Sequence, residues 1–183
     1  MPDAQVISRR SAELSEPEER ELRTLCERAW AAKGGEFPPV AWRAALGGTH
    51  FVVADAGVVV AHAAVVDRTL EWDGRPLRTG YVEAVATLPE RQRQGLGSVV
   101  MRAVAAFLDE RYELGALDTA TPEFYEPLGW VRWPGRTAVR RPEGVQRTPE
   151  EDGKVLVRIS DTSLDVRENG LLVCDGLRPG QPW

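Results

Sequence analysis

Between Tyr81 and Ser98 the chain passes from a β-branched run, Tyr81-Val82-Glu83-Ala84-Val85-Ala86-Thr87, through a basic loop with two glycines, Gln92-Arg93-Gln94-Gly95-Leu96-Gly97, into a long helical pattern. A strand that feeds straight into a helix aims the helix's unbonded N–H groups and its positive dipole end at one spot. Glycines there let the backbone approach an anion without interference from Cβ. The segment reads as an anion cradle, with Arg91 and Arg93 adding positive charge. Its spacing is neither G-x-x-x-x-G-K-[ST] nor G-x-G-x-x-G, which disfavours nucleotide hydrolysis and dinucleotide binding. Taken alone, Gly95 and Gly97 are also what an ordinary tight turn needs.

The surroundings of the junction set its context. A short strand is expected at Gln5–Ser8, then a helix over Glu16–Ala32 with Ser15 as N-cap, Leu22, Leu25, Cys26, Ala29 and Trp30 at helical spacing, and Gly34-Gly35 as the stop. A second helix runs from Pro38-Pro39 to Gly47-Gly48 and turns Trp42 and Leu46 inward. Four valine- and threonine-rich strands follow, His50–Asp55, Gly57–Asp67, Thr69–Trp72 and Leu77–Thr87, with Asp73-Gly74 as a hairpin turn. The long helix spans Gly95–Tyr112 and buries Val99, Val100, Ala103, Val104, Phe107 and Leu108. Beyond it come a strand at Gly115–Leu117, a brief helix near Thr121–Leu128 and a strand at Gly129–Trp133. Pro134, Pro142 and Pro149 then punctuate a looser connection before strands at Lys154–Ile159 and Leu171–Cys174.

The chain has 183 residues, which suits one domain, and 43% of them are hydrophobic, enough for a packed core. Its formal net charge of −5 lacks the positive field that draws proteins onto nucleic acid or anionic membranes, so a cationic partner fits better. Cys26 and Cys174 have no paired spacing, and the two histidines, His50 and His62, offer no zinc pattern; no metal is expected. Cys26 reads as a small core residue and His62 as packed or hydrogen-bonded. No segment has the length and apolarity of a signal peptide or a membrane span, so a cytoplasmic protein is expected.

Gln92-Arg93-Gln94-Gly95-Leu96-Gly97 resembles the Q/R-x-x-G-x-G/A pyrophosphate loop of the GNAT acetyltransferase superfamily, at the strand-to-helix junction where that family has it. The order of elements from about Val6 to Trp133 is similar too. A closer likeness, to the aminoglycoside 2′-N-acetyltransferases, rests on Leu46-Gly47-Gly48, Ala61-His62-Ala63-Ala64-Val65, Gly80-Tyr81-Val82-Glu83, Leu114-Gly115-Ala116-Leu117, Gly129-Trp130, Arg147-Thr148-Pro149, Asp152-Gly153, Ser163-Leu164-Asp165, Cys174-Asp175 and Trp183. The resemblance implies an α+β GNAT fold: a mixed, mostly antiparallel central sheet flanked by helices, with a C-terminal strand extension. One domain over 1–183 is expected, its core at about 6–133 and the remainder completing the acceptor site.

What the resemblance implies chemically is direct transfer of acetyl from acetyl-CoA to a primary amine of an amino sugar, without a covalent intermediate. An ammonium cannot attack a thioester, and Glu83 matches the family's base, acting through water. By residue type alone Glu83 reads first as a solvent-facing strand position, and only the resemblance makes it a base. Tyr125 matches the general acid for the departing thiolate, although a core aromatic on a short helix looks the same in sequence. Val85 and Thr87 match the positions that pair with the pantetheine arm, Val85 N–H being the oxyanion donor. Gln92, Arg93, Gln94, Gly95, Leu96 and Gly97 match the diphosphate loop. Glu36, Ala84, Asp118, Glu151 and the carboxylate of Trp183, with Asp152 as a neighbour, are the matching acceptor positions beside Glu83. A homodimer is expected by likeness.

Departures lie on the acceptor side. An acidic residue expected at Ala41 is absent, another is replaced by Gln181, and Asp118 stands where a serine is usual, in a loop two residues shorter. Each close ion pair in a partly dry cleft contributes about 1–3 kcal/mol, so an acceptor with fewer amines, kasugamycin-like, is expected. The competing readings are an acetyltransferase of another small-molecule or peptide amine, and a non-catalytic regulatory protein that keeps the cofactor fold.

Overall fold

The computed structural model describes residues 5–160, 164–165, 169–176 and 183. Two compact units divide the chain. One holds Val82–Ala106 and the chain up to Val66, the other Asp67–Tyr81 and the chain from Phe107. Strands β3 (Val58–Trp72) and β4 (Arg75–Thr87) and helix α3 (Leu96–Arg111) contribute residues to both.

In the first unit β1 (Val6–Arg10) pairs antiparallel with β2 (Thr49–Asp55), which pairs antiparallel with β3 from Thr49↔Val65 to Asp55↔Val58. The sequence dictates helix α1 (Glu16–Ala31) locally: Ser15 Oγ accepts the Glu18 N–H, and the Glu18 carboxylate takes the Ser15 N–H at 2.8 Å. Its buried stripe is Leu22, Leu25, Cys26 and Ala29, with Trp30 half-buried. Helix α2 (Pro39–Ala45) buries Trp42 and Ala45; Leu46, expected inside, is instead the extended C-cap. On α3 the buried positions are Val100, Met101, Val104, Ala105 and Leu108, while Val99, Ala103 and Phe107 are half-buried. The apolar run is wider than one face, and full burial of Met101 rotates the stripe by about one position from the expected one.

Close packing shows at Gly48, where an added Cβ would lie 2.1 Å from the Val65 carbonyl oxygen. Backbone cannot yield as a flexible side chain does. Gly48→Ala is therefore expected to cost about 3 kcal/mol or more, read as a fall in Tm of about 6 °C or more by calorimetry; an unchanged Tm would contradict this packing.

The second unit carries strands in the order β6-β9-β5-β4-β3-β10-β7-β8. Here β5 is Leu114–Asp118, β6 Val131–Arg132, β7 Arg136–Arg141, β8 Gly144–Arg147, β9 Val155–Ile159 and β10 Leu171–Asp175. The β4–β5 and β7–β10 ladders are parallel, and those of β5–β9, β6–β9, β3–β10 and β7–β8 antiparallel. Helix α4 (Pro122–Tyr125) and a following 3-10 turn, Glu126–Leu128, precede β6.

Three expectations need correction. Gly57–Asp67 and Thr69–Trp72 are one strand, because Arg68 is not a break but a buried residue, paired with Asp175 at 2.5 Å and stacked over the Tyr81 ring at 4.5 Å. The connection from Pro134 to Pro149 is a hairpin, β7–β8, whose ladder lies between the prolines. The strand expected at Gly129–Trp133 shortens to Val131–Arg132, since Gly129 sits at φ 87°. The Asp73-Gly74 turn forms as expected, with φ of 47° and 84°.

Candidate functional site

In the first unit, strand alternation leaves Glu83, Val85 and Thr87 half-exposed while Val82, Ala84 and Ala86 are buried. The strand is kinked between them: Ala84 is left-handed, at φ 50°. Past Thr87, the Leu88 N–H donates to the Val60 carbonyl at 3.0 Å, and a 3-10 turn, Pro89–Arg91, leads into the loop. Arg93 at φ 62° and Gly95 at φ 81° then swing the chain into α3. Gly95 C=O accepts the Val99 N–H at 3.0 Å, so the N–H groups of Leu96, Gly97 and Ser98 have no acceptor within the helix and face the loop. This is where an anion is stabilised by both donors and dipole.

The loop is braced by its own side chains. Gln92 Nε2 donates to the Thr87 carbonyl at 3.2 Å, Gln94 Nε2 to the Glu90 carbonyl at 3.4 Å, and Arg28 pairs with Glu90 at 2.7 Å. Arg91 is committed to Asp55 at 2.6 Å and to Gln94 Oε1 at 3.1 Å. Its charge is thus largely used within the protein, contrary to the expectation that it adds to the cradle. Arg93 is exposed and makes no ion pair among the described residues. Glu36 belongs to the same unit and lies in the exposed connection between α1 and α2, next to buried Phe37.

The same unit holds a feature that sequence reading left unconnected. His50 and His62 are fully buried and bonded to each other, Nδ1 to Nε2, at 2.9 Å. His62 Nδ1 lies 2.8 Å from the Ala84 carbonyl, His50 Nε2 lies 2.8 Å from Ser11 Oγ, and the Cys26 thiol reaches the Ala84 carbonyl at 3.7 Å. Burial pushes His50 down to about 4 and His62 down to about 3. Hairpin arithmetic could have found the pair: Val52↔His62 and His50↔Ala64 are opposed, so the two rings are diagonal neighbours on one face.

In the second unit Tyr125 closes α4, buried, with its ring against Phe124 at 4.8 Å and Trp130 at 6.4 Å. Burial pushes its phenol up to about 12, against a hydrogen bond with Thr119 that lowers it and with the help of the Asp118 charge, which raises it. Asp118 ends β5; desolvation first and Glu151 second hold its carboxyl above the ordinary range. Glu151 pairs with Lys154 at 3.5 Å. Asp152 is engaged on three sides, by the Thr137 N–H and hydroxyl, each at 2.8 Å, and by Arg147 at 2.8 Å. Its carboxylate therefore braces β7, and Arg147 holds it below its ordinary range. Trp183 is buried, its indole N–H donating to Thr148 Oγ1 at 3.1 Å. Gln181 lies outside the described residues.

Among the described residues no three His, Cys, Asp or Glu side chains are grouped to hold a metal ion. No helix among them is long and apolar enough to cross a membrane.

Comparison with known proteins bears on this arrangement. The model of the Acetyltransferase (GNAT) domain family matches residues 11–132. An aminoglycoside 2′-N-acetyltransferase of Mycolicibacterium fortuitum is 41% identical over 154 residues, covering 81% of this chain and 78% of that protein. Among solved structures, a GNAT family N-acetyltransferase of Escherichia coli in complex with CoA superposes with a TM-score of 0.63 at 15% identity, over 95% of this chain and 92% of that one. A GCN5-related N-acetyltransferase from Kribbella flavida superposes with a TM-score of 0.57 at 24% identity, over 72% of this chain; the chain spans only 34% of that protein's length.

Proposed function

Since the chain belongs to the GNAT acetyltransferase family, as an acetyl-CoA-dependent N-acetyltransferase of GNAT fold, we propose that it acetylates the 2′-amine of an aminoglycoside. The observation that carries this is the end of β4 running through left-handed Arg93 and Gly95 into the open N-terminus of α3. That cradle suits a diphosphate: its donors are backbone N–H groups, and its cation, Arg93, is not otherwise paired among the described residues. When bound, acetyl-CoA supplies an activated acetyl group as its thioester.

Glu83, half-exposed on the strand just before the cradle, takes the proton from the acceptor ammonium through water. Val85 N–H, one residue past the Ala84 kink, donates to the developing oxyanion. Val85 and Thr87 hold the pantetheine arm. Tyr125, its phenol buried and protonated at neutral pH, donates the proton to the departing thiolate. By likeness, Glu36, Glu83, Ala84, Asp118, Glu151 and Trp183 are the acceptor positions for the cationic sugar, with Asp152 as a neighbour. Ala41 leaves α2 without an acid, which favours an acceptor with fewer amines, kasugamycin-like, over a gentamicin-type polyamine. A single catalytic domain, a homodimer and a cytoplasmic location belong to the same reading, supported by the likeness to the aminoglycoside relatives.

Thiol release measured with aminoglycosides, kasugamycin, simple amines and a peptide amine tests this reading. Amino-sugar turnover with the less cationic drug preferred is expected; equal turnover of polyamines would remove that preference, and turnover of peptide amines alone would replace the acceptor class. The two loop arginines are expected to differ. Arg93→Ala weakens acetyl-CoA binding by about five- to ten-fold through loss of a charge-assisted contact, while Arg91→Ala, already paired with Asp55, changes it by less than about three-fold. Titration calorimetry reads both, and equal effects would contradict the division of labour.

A further inference from the structure

The buried histidines have no part in the chemistry above, yet their hydrogen bonds end on the backbone of the strand that carries it. The Ala84 carbonyl accepts only, so His62 Nδ1, at 2.8 Å, carries the proton. His62 Nε2 is then the acceptor, and His50 Nδ1, at 2.9 Å, must donate to it. His50 Nε2 in turn accepts the one Ser11 Oγ hydrogen at 2.8 Å, in preference to the Gly48 carbonyl at 3.2 Å, which already accepts the Ser11 N–H at 3.0 Å, and Ser11 Oγ accepts the Gly47 N–H at 2.9 Å. One set of tautomers satisfies every member of the row. The ends differ: Ser11 is half-buried where β1 gives way to its following turn, and Ala84 lies inside β4 between Glu83 and Val85.

Ala84 is where the row is needed. A non-glycine residue at φ 50° is held there by its surroundings, and a left-handed residue in a strand turns its carbonyl out of the regular ladder. That carbonyl finds two donors, the His62 ring from β3 and the Cys26 thiol of α1, the latter at 3.7 Å. Burial pushes Cys26 up to about 12, so the thiol keeps its proton. Trp42 closes the rings off, 5.8 Å from His50 and 6.0 Å from His62. It is fixed by Glu19 at 3.1 Å from its indole nitrogen.

We propose that His50 and His62 are positioning residues for acetyl transfer: their hydrogen-bonded row clamps the Ala84 carbonyl, holds the kink in β4, and so sets Glu83 and the Val85 N–H in their working directions. This rests on the reading above, in which β4 carries the base and the oxyanion donor. Neither histidine touches substrate, and no proton travels along the row during turnover, because its inner end is a carbonyl.

Two polar replacements of similar size separate the roles. The amide of His62→Asn stands where Nδ1 stood and still donates to Ala84; that of His62→Gln stands on the Nε2 side, toward His50, and leaves the carbonyl without its ring donor. Amide NMR of the whole protein without ligand, together with thiol-release kinetics, reads both consequences. The clamp predicts that H62Q shifts the amide signals of Glu83–Val85 and lowers kcat by about ten-fold or more with KM for acetyl-CoA within about three-fold, and that H62N recovers at least about a third of both signal pattern and kcat. Equal behaviour of the two variants overturns the clamp: equal loss would speak for a ring-specific proton relay, equal retention for simple packing. If both variants fail to fold, the imidazole 15N signals of the unaltered protein decide: the clamp predicts an Nδ1–H tautomer on both rings, and an Nε2–H tautomer on His62, which leaves the Ala84 carbonyl without its ring donor, overturns it. The functional reading fails separately, if the unaltered protein transfers acetyl to no amine; the NMR comparison is blind to that outcome.

Discussion

Replacing Glu83 with Gln is expected to lower kcat at neutral pH by about 100-fold or more, with KM for acetyl-CoA changed by less than about three-fold. The asymmetry follows from position. Glu83 is on the half-exposed face of β4 that it shares with Val85 and Thr87, whereas the cradle begins beyond Thr87, at Gln92–Gly97. On the proposed mechanism, removing the carboxylate takes away the acceptor for the ammonium proton and leaves the cradle's backbone donors as they were. Glutamine keeps the shape, so the loss reports protonation chemistry and not packing. Raising the pH supplies free amine directly, and the variant should regain part of its rate as it does. A variant with undiminished kcat would remove Glu83 as base.

The second large effect is in acid. His50 and His62 titrate near 6.5 in the unfolded chain, and burial lowers them to about 4 and about 3 in the fold, with Glu19 opposing the shift at His50 and the Ala84 carbonyl opposing it at His62. Between those values the unfolded chain binds protons that the folded chain refuses. Stability is therefore full above pH 6.5 and falls as the pH drops toward about 4, by about 2 kcal/mol per histidine between pH 6.5 and 5. The carboxylates held low by hydrogen bonds and ion pairs, Glu18, Glu90, Asp109 and Asp152, also lose stability in acid, but below their own ordinary values of 4.5 and 3.8. Asp118, held above its ordinary range, works in the opposite sense and adds stability as the pH falls, so a decline between pH 6.5 and 5 is the histidines'. Urea unfolding across this window should show a steep decline in the wild type and a shallower one in His62→Asn; a flat profile would contradict neutral, buried rings.

Where order is local, the residues announced it. The Ser15–Glu18 capping box, the Asp73-Gly74 turn and the strand-to-helix junction at Gly95 each need only neighbours a few positions away. What stayed hidden depends on distant partners. Arg68 looks like a strand break until Asp175 and the Tyr81 ring are brought to it. The β7–β8 hairpin is masked by the flanking prolines and by its arginines, one of which, Arg140, is matched by Glu71 of β3. Of the candidate site, Glu83, Val85, Thr87 and the Gln92–Gly97 loop were legible as one motif. The commitment of Arg91 to Asp55, of Asp152 to Thr137 and Arg147, and of the Ala84 carbonyl to His62 was not, because each joins segments whose register only the fold sets.

Titration calorimetry with acetyl-CoA, on the wild type and on Gly95→Val, addresses the cradle itself. A valine at φ 81° is strained and puts Cβ branches where the anion should sit. The wild type should give a saturable one-to-one isotherm that weakens about 100-fold or vanishes in the variant. A wild type that evolves no heat and gains no thermal stability with saturating acetyl-CoA, or a variant that binds as tightly as the wild type, would contradict it.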